Sequence, residues 1–118
     1  MQLKSHPEGK ILAGKLELAE RFFQRLRGLI GRTEISNDTA LLIRNCRMVH
    51  TFFLKFPIDI VFCSEKGTVV LVQENLVPWK ISKLAYQASY VIEFRQGTVK
   101  EKQIRVGDQV YSSPEAKS

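Results

Sequence analysis

Ile58–Cys63 (IDIVFC) and Thr68–Gln73 (TVVLVQ) are short runs dense in β-branched and aromatic residues, and they flank Ser64-Glu65-Lys66-Gly67. A four-residue loop ending in a glycine able to take positive φ closes such runs into a hairpin. The middle of the chain is thereby committed to antiparallel sheet. The same pattern recurs on both sides, with short strands expected over Lys10–Ala13, Ala40–Ile43, Cys46–Leu54, Ser89–Phe94 and within Ile104–Tyr111. Turn formers separate them: Gly14, the polar stretch Glu34–Thr39, Val77-Pro78-Trp79 and Arg95-Gln96-Gly97. Pro57 has no N–H for a ladder and divides VHTFFLKFPIDIVF (Val49–Phe62) into two strands.

One segment follows a different period. In Glu17–Ile30 (ELAERFFQRLRGLI), Ala19, Phe22, Phe23, Leu26, Leu29 and Ile30 fall on one helical arc, while Arg21, Arg25 and Arg32 fall roughly opposite. Its first turn is acidic and its last basic, as the helix dipole prefers, and Gly28 and Gly31 end it. The fold class expected is α+β, mainly β: a compact antiparallel sandwich or barrel-like sheet of six to seven short strands with one amphipathic helix packed on it. A βαβ architecture is disfavoured by the single helical pattern. The 118 residues suit one globular domain over 10–111, between a flexible N-terminus (1–9) and a flexible tail (112–118).

The formal charge of +6 is uneven. Residues 1–55 carry 10 Lys and Arg against 5 Asp and Glu; residues 56–118 carry 8 against 7. Such a balance favours anionic partners, without a run of like charge to specify one. Two cysteines, Cys46 and Cys63, are too few for a disulfide scaffold or a four-cysteine zinc site, and read as reduced thiols. The N-terminus lacks an apolar core of the signal-peptide type, and no apolar run approaches the roughly 20 residues of a spanning helix, so a cytoplasmic location and no membrane contact are expected. No metal or cofactor motif is present, and the chain reads as a monomer or weak dimer.

Chemistry must then come from isolated polar residues. His6 lies in the polar N-terminus, so any histidine mechanism uses His50, which sits with Thr51 in an apolar run. Asp59 stands between Ile58 and Ile60, where an ionised carboxylate is costly unless paired or hydrogen-bonded. His50, Thr51, Arg44, Arg47 and Arg32 are its candidate partners. On neighbouring strands, His50 and Asp59 would form an acid–base pair; otherwise Asp59 ties down a turn and His50 is a satisfied core residue. Cys46 lies on the face of His50 in extended chain but roughly 13 Å away, too far for a thiol–imidazole pair. Trp79 is an anchor or a stacking platform, with Lys80 and Lys83 nearby. Glu93 in YVIEF is a further carboxylate in an apolar strand, with the alternate, solvent-facing side as its ordinary place.

Together, RLRGLIGR (Arg25–Arg32), RMVHTFFLKFPIDIVF (Arg47–Phe62), Gly67-Thr68-Val69-Val70, Pro78, YVIEFRQG (Tyr90–Gly97) and the closing VGD (Val106–Asp108) resemble family 192 of the domains of unknown function. The match spans about residues 15–110. The resemblance implies a compact, mainly β domain with a packed helix, of bacterial or archaeal origin, and supplies no activity. The family's recurring positions fall here on Arg27, Gly28, Leu29, Gly31, Arg32, His50, Thr51, Pro57, Asp59, Glu93, Gly97, Gly107 and Asp108. The family has Met where this chain has Leu54, a volume-conserving change, and usually an acid where it has Ser64.

Three functions follow as expectations. The first is a binding module for a small polar or anionic ligand, with a groove near His50 and Asp59 that draws on Thr51, Arg32, Arg47, Trp79 and Glu93. The second is an acid–base hydrolase or isomerase using His50 and Asp59. The third is a basic accessory protein that contacts nucleic acid or another macromolecule through the arginine face of the helix.

Overall fold

The computed structural model describes residues 1–19, 35–36 and 38–114. Within them the chain runs through strands β1 (Gln2–Ser5), β2 (Lys10–Ala13), β3 (Lys15–Ala19), β4 (Thr39–Arg44), β5 (Ile58–Cys63), β6 (Val69–Leu76) and β7 (Tyr90–Arg95). A single helical turn, α1 (Thr98–Glu101), and strand β8 (Val110–Ser113) complete it. These strands make two sheets and no closed barrel: β2-β1-β8, and β3-β4-β7-β5-β6.

The expected hairpin is β5–β6, with Phe62 opposite Leu71 and Val61 opposite Val72. Every residue of β5 is buried. The near-continuous apolar sequence of β5 follows from that placement, because the larger sheet carries a core on each face. On one face Ile58, Ile60 and Phe62 join Leu41, Ile43, Val91, Leu54 and Phe56. On the other, Val61 and Cys63 join Ile92, Phe94, Leu3, Leu12 and Val99. The smaller sheet and α1 close this second face. The loops 45–57 and 77–89 close the first.

Four expectations need correction. The polar opening residues, read as loose, supply β1, the middle strand of the smaller sheet, which pairs with both β2 and β8. Glu17–Ala19, assigned to the helix, belong to β3 instead, and the remainder of that helix lies outside the described residues. β3 pairs in parallel with β4, in register from Lys15–Thr39 to Ala19–Ile43. Parallel neighbours cannot be joined by a tight hairpin, so this pair departs from the all-antiparallel sheet expected. Finally, Cys46–Leu54 is not a strand. Its one ladder contact is an isolated bridge from His50 to Ile81. Asn45 (φ 53°) and Phe53 (φ 70°) turn the backbone out of extended geometry at its two ends.

Candidate functional site

The sheet separates the residues that the sequence grouped. Asp59 lies opposite Phe94 on β7 and so faces the second core, toward α1. Its carboxylate is fully buried and accepts three backbone hydrogen bonds: Asn75 N–H to Oδ1 (2.9 Å), and Gly97 N–H and Val99 N–H to Oδ2 (3.0 Å each). Neither His50 nor an arginine is among these partners. Three convergent donors satisfy a buried carboxylate without a counter-ion. They pin the end of β6 and the turn leading into α1 onto β5.

Glu93 is its counterpart on the opposite face, set between Leu41 and Ile60, and wholly buried rather than turned to solvent. Arg47 is exposed; its Nε–H donates to the carbonyl of Ala88 (3.4 Å), and it borders a shallow hollow with Asn45 and Ser89. Arg32 lies outside the described residues.

His50, Thr51 and Trp79 do come together, on the first face. Thr51 joins the two loops that cover it. Its N–H donates to Lys80 O (2.9 Å) and its carbonyl accepts from Trp79 N–H (3.2 Å). Its hydroxyl donates to Val77 O (2.6 Å) and accepts from Lys80 N–H (3.0 Å). Ser82 extends the seam through its N–H to Val49 O (2.8 Å) and its hydroxyl, which accepts from Val49 N–H (2.9 Å). With its polar groups engaged, Thr51 is completely buried.

What Thr51 holds in place is a set of rings. The imidazole of His50 stacks on Phe52 (centroids 4.5 Å, 25°), and its Nδ1 accepts from Phe52 N–H (3.2 Å), which leaves Nε2 to carry the proton. Phe52 stacks in turn on Trp79 (5.7 Å, 26°), and Phe53 meets Trp79 edge-on (4.9 Å, 64°). Phe53 and Trp79 both have positive φ, 70° and 64°. Large side chains rarely adopt that region, and it costs of order 1–3 kcal/mol unless the surroundings impose it. Here the result is display: Phe53 is 58% and Trp79 60% exposed. Of the eleven large apolar side chains exposed among the described residues, seven lie on these two loops, Met48, Ile81 and Tyr86 among them. Met48, Val49, His50 and Ile81 line an apolar depression of about 290 Å³. Lys55, Lys80 and Lys83 are exposed on the same two loops.

Two absences complete the description. Among the described residues, no group of His, Cys, Asp or Glu is arranged to hold a metal ion, and no helix is long and apolar enough to cross a membrane. Cys46 packs against the first core and donates to Met48 O (3.2 Å). Burial pushes the Cys63 thiol up to about 12, partly offset by a hydrogen bond with Tyr90.

Sequence reasoning did not single out Phe52, Phe53, Met48 and Ile81. The loops leave Met48, Phe53 and Ile81 exposed and Phe52 half-buried. The only sequence signal was the density of aromatics beside Pro57, more than one strand face can bury.

A mainly β domain with two sheets, a buried carboxylate on one side and an aromatic display on the other, is the class this geometry defines. The chain belongs to family 192 of the domains of unknown function, described as "Uncharacterized ACR", whose profile matches residues 3–112. It is 35% identical over 100 residues to a UPF0127 protein of Pyrococcus abyssi, covering 82% of this chain and 85% of that one. Among solved structures, one from Novosphingobium aromaticivorans, a protein of unknown function, superposes with a TM-score of 0.78 at 20% identity, over 95% of this chain and 84% of that one. This second likeness concerns the fold alone. A candidate transcription regulator from Sinorhizobium meliloti superposes with a TM-score of 0.69 at 29% identity, over 81% and 79% of the two chains.

Proposed function

We propose that this protein is a binding module, working without covalent chemistry, that takes an anionic ligand with an apolar or planar body on the face around His50 and Trp79. One observation carries the reading. The rings of Phe53 and Trp79 are held exposed on strained backbone, and the Thr51 hydrogen bonds keep the loops in that shape. Exposed aromatic surface that is fixed rather than mobile costs little entropy to bind against. The apolar depression beside His50 offers a seat, and Lys55, Lys80 and Lys83 favour negative charge. Asp59 has no part in the groove, since its oxygens are spent on backbone donors. The acid–base reading is disfavoured because the Asp59 carboxylate accepts from the backbone N–H groups of Asn75, Gly97 and Val99 rather than from His50.

Nucleic acid is a second reading. The lysines beside stacked rings and the relative described as a candidate transcription regulator support it. The arginine face first considered for that role lies outside the described residues.

Trp79 is the sole tryptophan, so its emission reports on this face alone. Titration with anilinonaphthalene sulfonate is expected to quench it with saturation, and Ile81→Asp to abolish the quenching while the melting temperature holds. Non-saturating quenching, or quenching indifferent to Ile81→Asp, would sink the proposal. Saturable quenching by a 15-nucleotide oligothymidylate that weakens steeply with salt would favour the nucleic-acid reading.

A further inference from the structure

A larger cavity than the depression beside His50 lies elsewhere among the described residues, at the mouth between the two sheets, and measures about 550 Å³. That volume is within the usual range for small-molecule sites. Its position follows from the topology. The end of β4, the start of β7 and the β5–β6 turn form one side, and β1 and β8 form the other. Gly67 sets the spacing: a Cβ there would lie 2.5 Å from the carbonyl of Val110, so only glycine lets the turn approach β8 this closely.

The lining is divided by chemistry. Leu3, Leu16 and Leu42 contribute apolar surface, and Tyr90 and Tyr111 contribute rings bearing hydroxyls. Arg44, Lys66 and Glu65 are exposed at the opening and leave a local excess of one positive charge. Among the described residues, neither Arg44 nor Lys66 is in an ion pair. A guanidinium presents a planar fork that matches a carboxylate, and an ammonium nearby adds charge without fixed geometry.

We propose that this gap is a binding site for a small organic carboxylate with an apolar or aromatic body, which lies against Leu3, Leu16 and Leu42 and presents its carboxylate to Arg44 and Lys66. Tyr90 supports binding rather than reaction. Burial and the adjoining Cys63 push its phenol up, and the Cys63 thiol is held up as well, so both stay neutral and neither supplies an activated nucleophile. The site is independent of the aromatic face at Trp79, and each can fail without the other.

Phenylacetate is a suitable probe, with phenylacetamide and inorganic phosphate as comparators, followed by two-dimensional NMR of the intact protein. Phenylacetate at millimolar concentration is expected to shift resonances of Leu3, Tyr90 and Tyr111 and to leave Trp79 unmoved. Phenylacetamide and phosphate should each bind about tenfold more weakly, the first for want of charge and the second for want of an apolar body. Arg44→Gln and Lys66→Gln alter exposed residues, so folding is retained, and each should weaken phenylacetate by about tenfold or less, with Arg44→Gln the greater loss. Glu65→Gln should tighten it. The proposal is overturned by an absence of shifts, by shifts confined to the Trp79 face, by equal binding of the amide or of phosphate, or by indifference to Arg44→Gln.

Discussion

Asp59 and Glu93 occupy the two sides of one sheet, both with no exposure, and Asp59 shows how a carboxylate is accommodated there. Three backbone donors meet it, so removing it orphans the buried N–H of Val99 and the part-buried N–H groups of Asn75 and Gly97. Asp59→Ala is expected to lower the unfolding free energy by about 3 kcal/mol or more, read from the urea midpoint. Asp59→Asn should recover only part of this, because its amide NH₂ must confront a backbone N–H. The sequence made Asp59 conspicuous, since a charge between two isoleucines demands a partner. It could not show that the partners are main-chain groups, because Asn75, Gly97 and Val99 are brought there by β6 and α1 and have no signature of their own at those positions. Glu93 was misjudged by the same logic. Alternation assigns every second residue of a strand to solvent, which fails for a strand with a core on both faces.

At the scale of elements, the hairpin and the strands around it were legible because pattern and burial agree there. The loop 45–57 was not. Its aromatics have strand propensity, but Thr51 offers the backbone a competing set of hydrogen bonds, and positive φ at Phe53 completes the departure. Thr51→Val keeps the shape and removes the hydroxyl. It should destabilise by about 1–2 kcal/mol and shift Trp79 emission as the two loops loosen, whereas Thr51→Ser should preserve both. Gly67→Ala should be costly at the other end of the sheet, where a φ of 85° and the nearby Val110 carbonyl coincide. A loss of about 2 kcal/mol or more is expected, measurable by urea unfolding. β3 escaped notice because Glu17–Ala19 reads as the first turn of a helix; its parallel pairing with β4 decides the matter.

For the molecule as a whole, titration gives a global test. The unfolded Cys63 thiol ionises near its ordinary value of 9.0, whereas the folded one is held up to about 12. Below pH 9 both states keep the proton and stability is unaffected. Between pH 9 and about 12 the unfolded state holds fewer protons, so stability falls as pH rises, with a limiting slope of about 1.4 kcal/mol per pH unit from this group. Tyr90 acts in the same direction. Urea midpoints measured from pH 8 to 11 should decline progressively, and Cys63→Ala should flatten the decline.

The pairing of β1 with β8 has a consequence of its own. It aligns Gln2 with Ser113 and Ser5 with Val110, a span of nearly the whole chain. A ribosome releases the first partner long before the second exists. β1 must therefore wait, half-paired with β2 and with a bare edge, until synthesis has passed residue 113. The lacing of these two strands makes the smaller sheet a record that synthesis has passed β8, and a chain interrupted before residue 110 retains an open strand edge for chaperones to find.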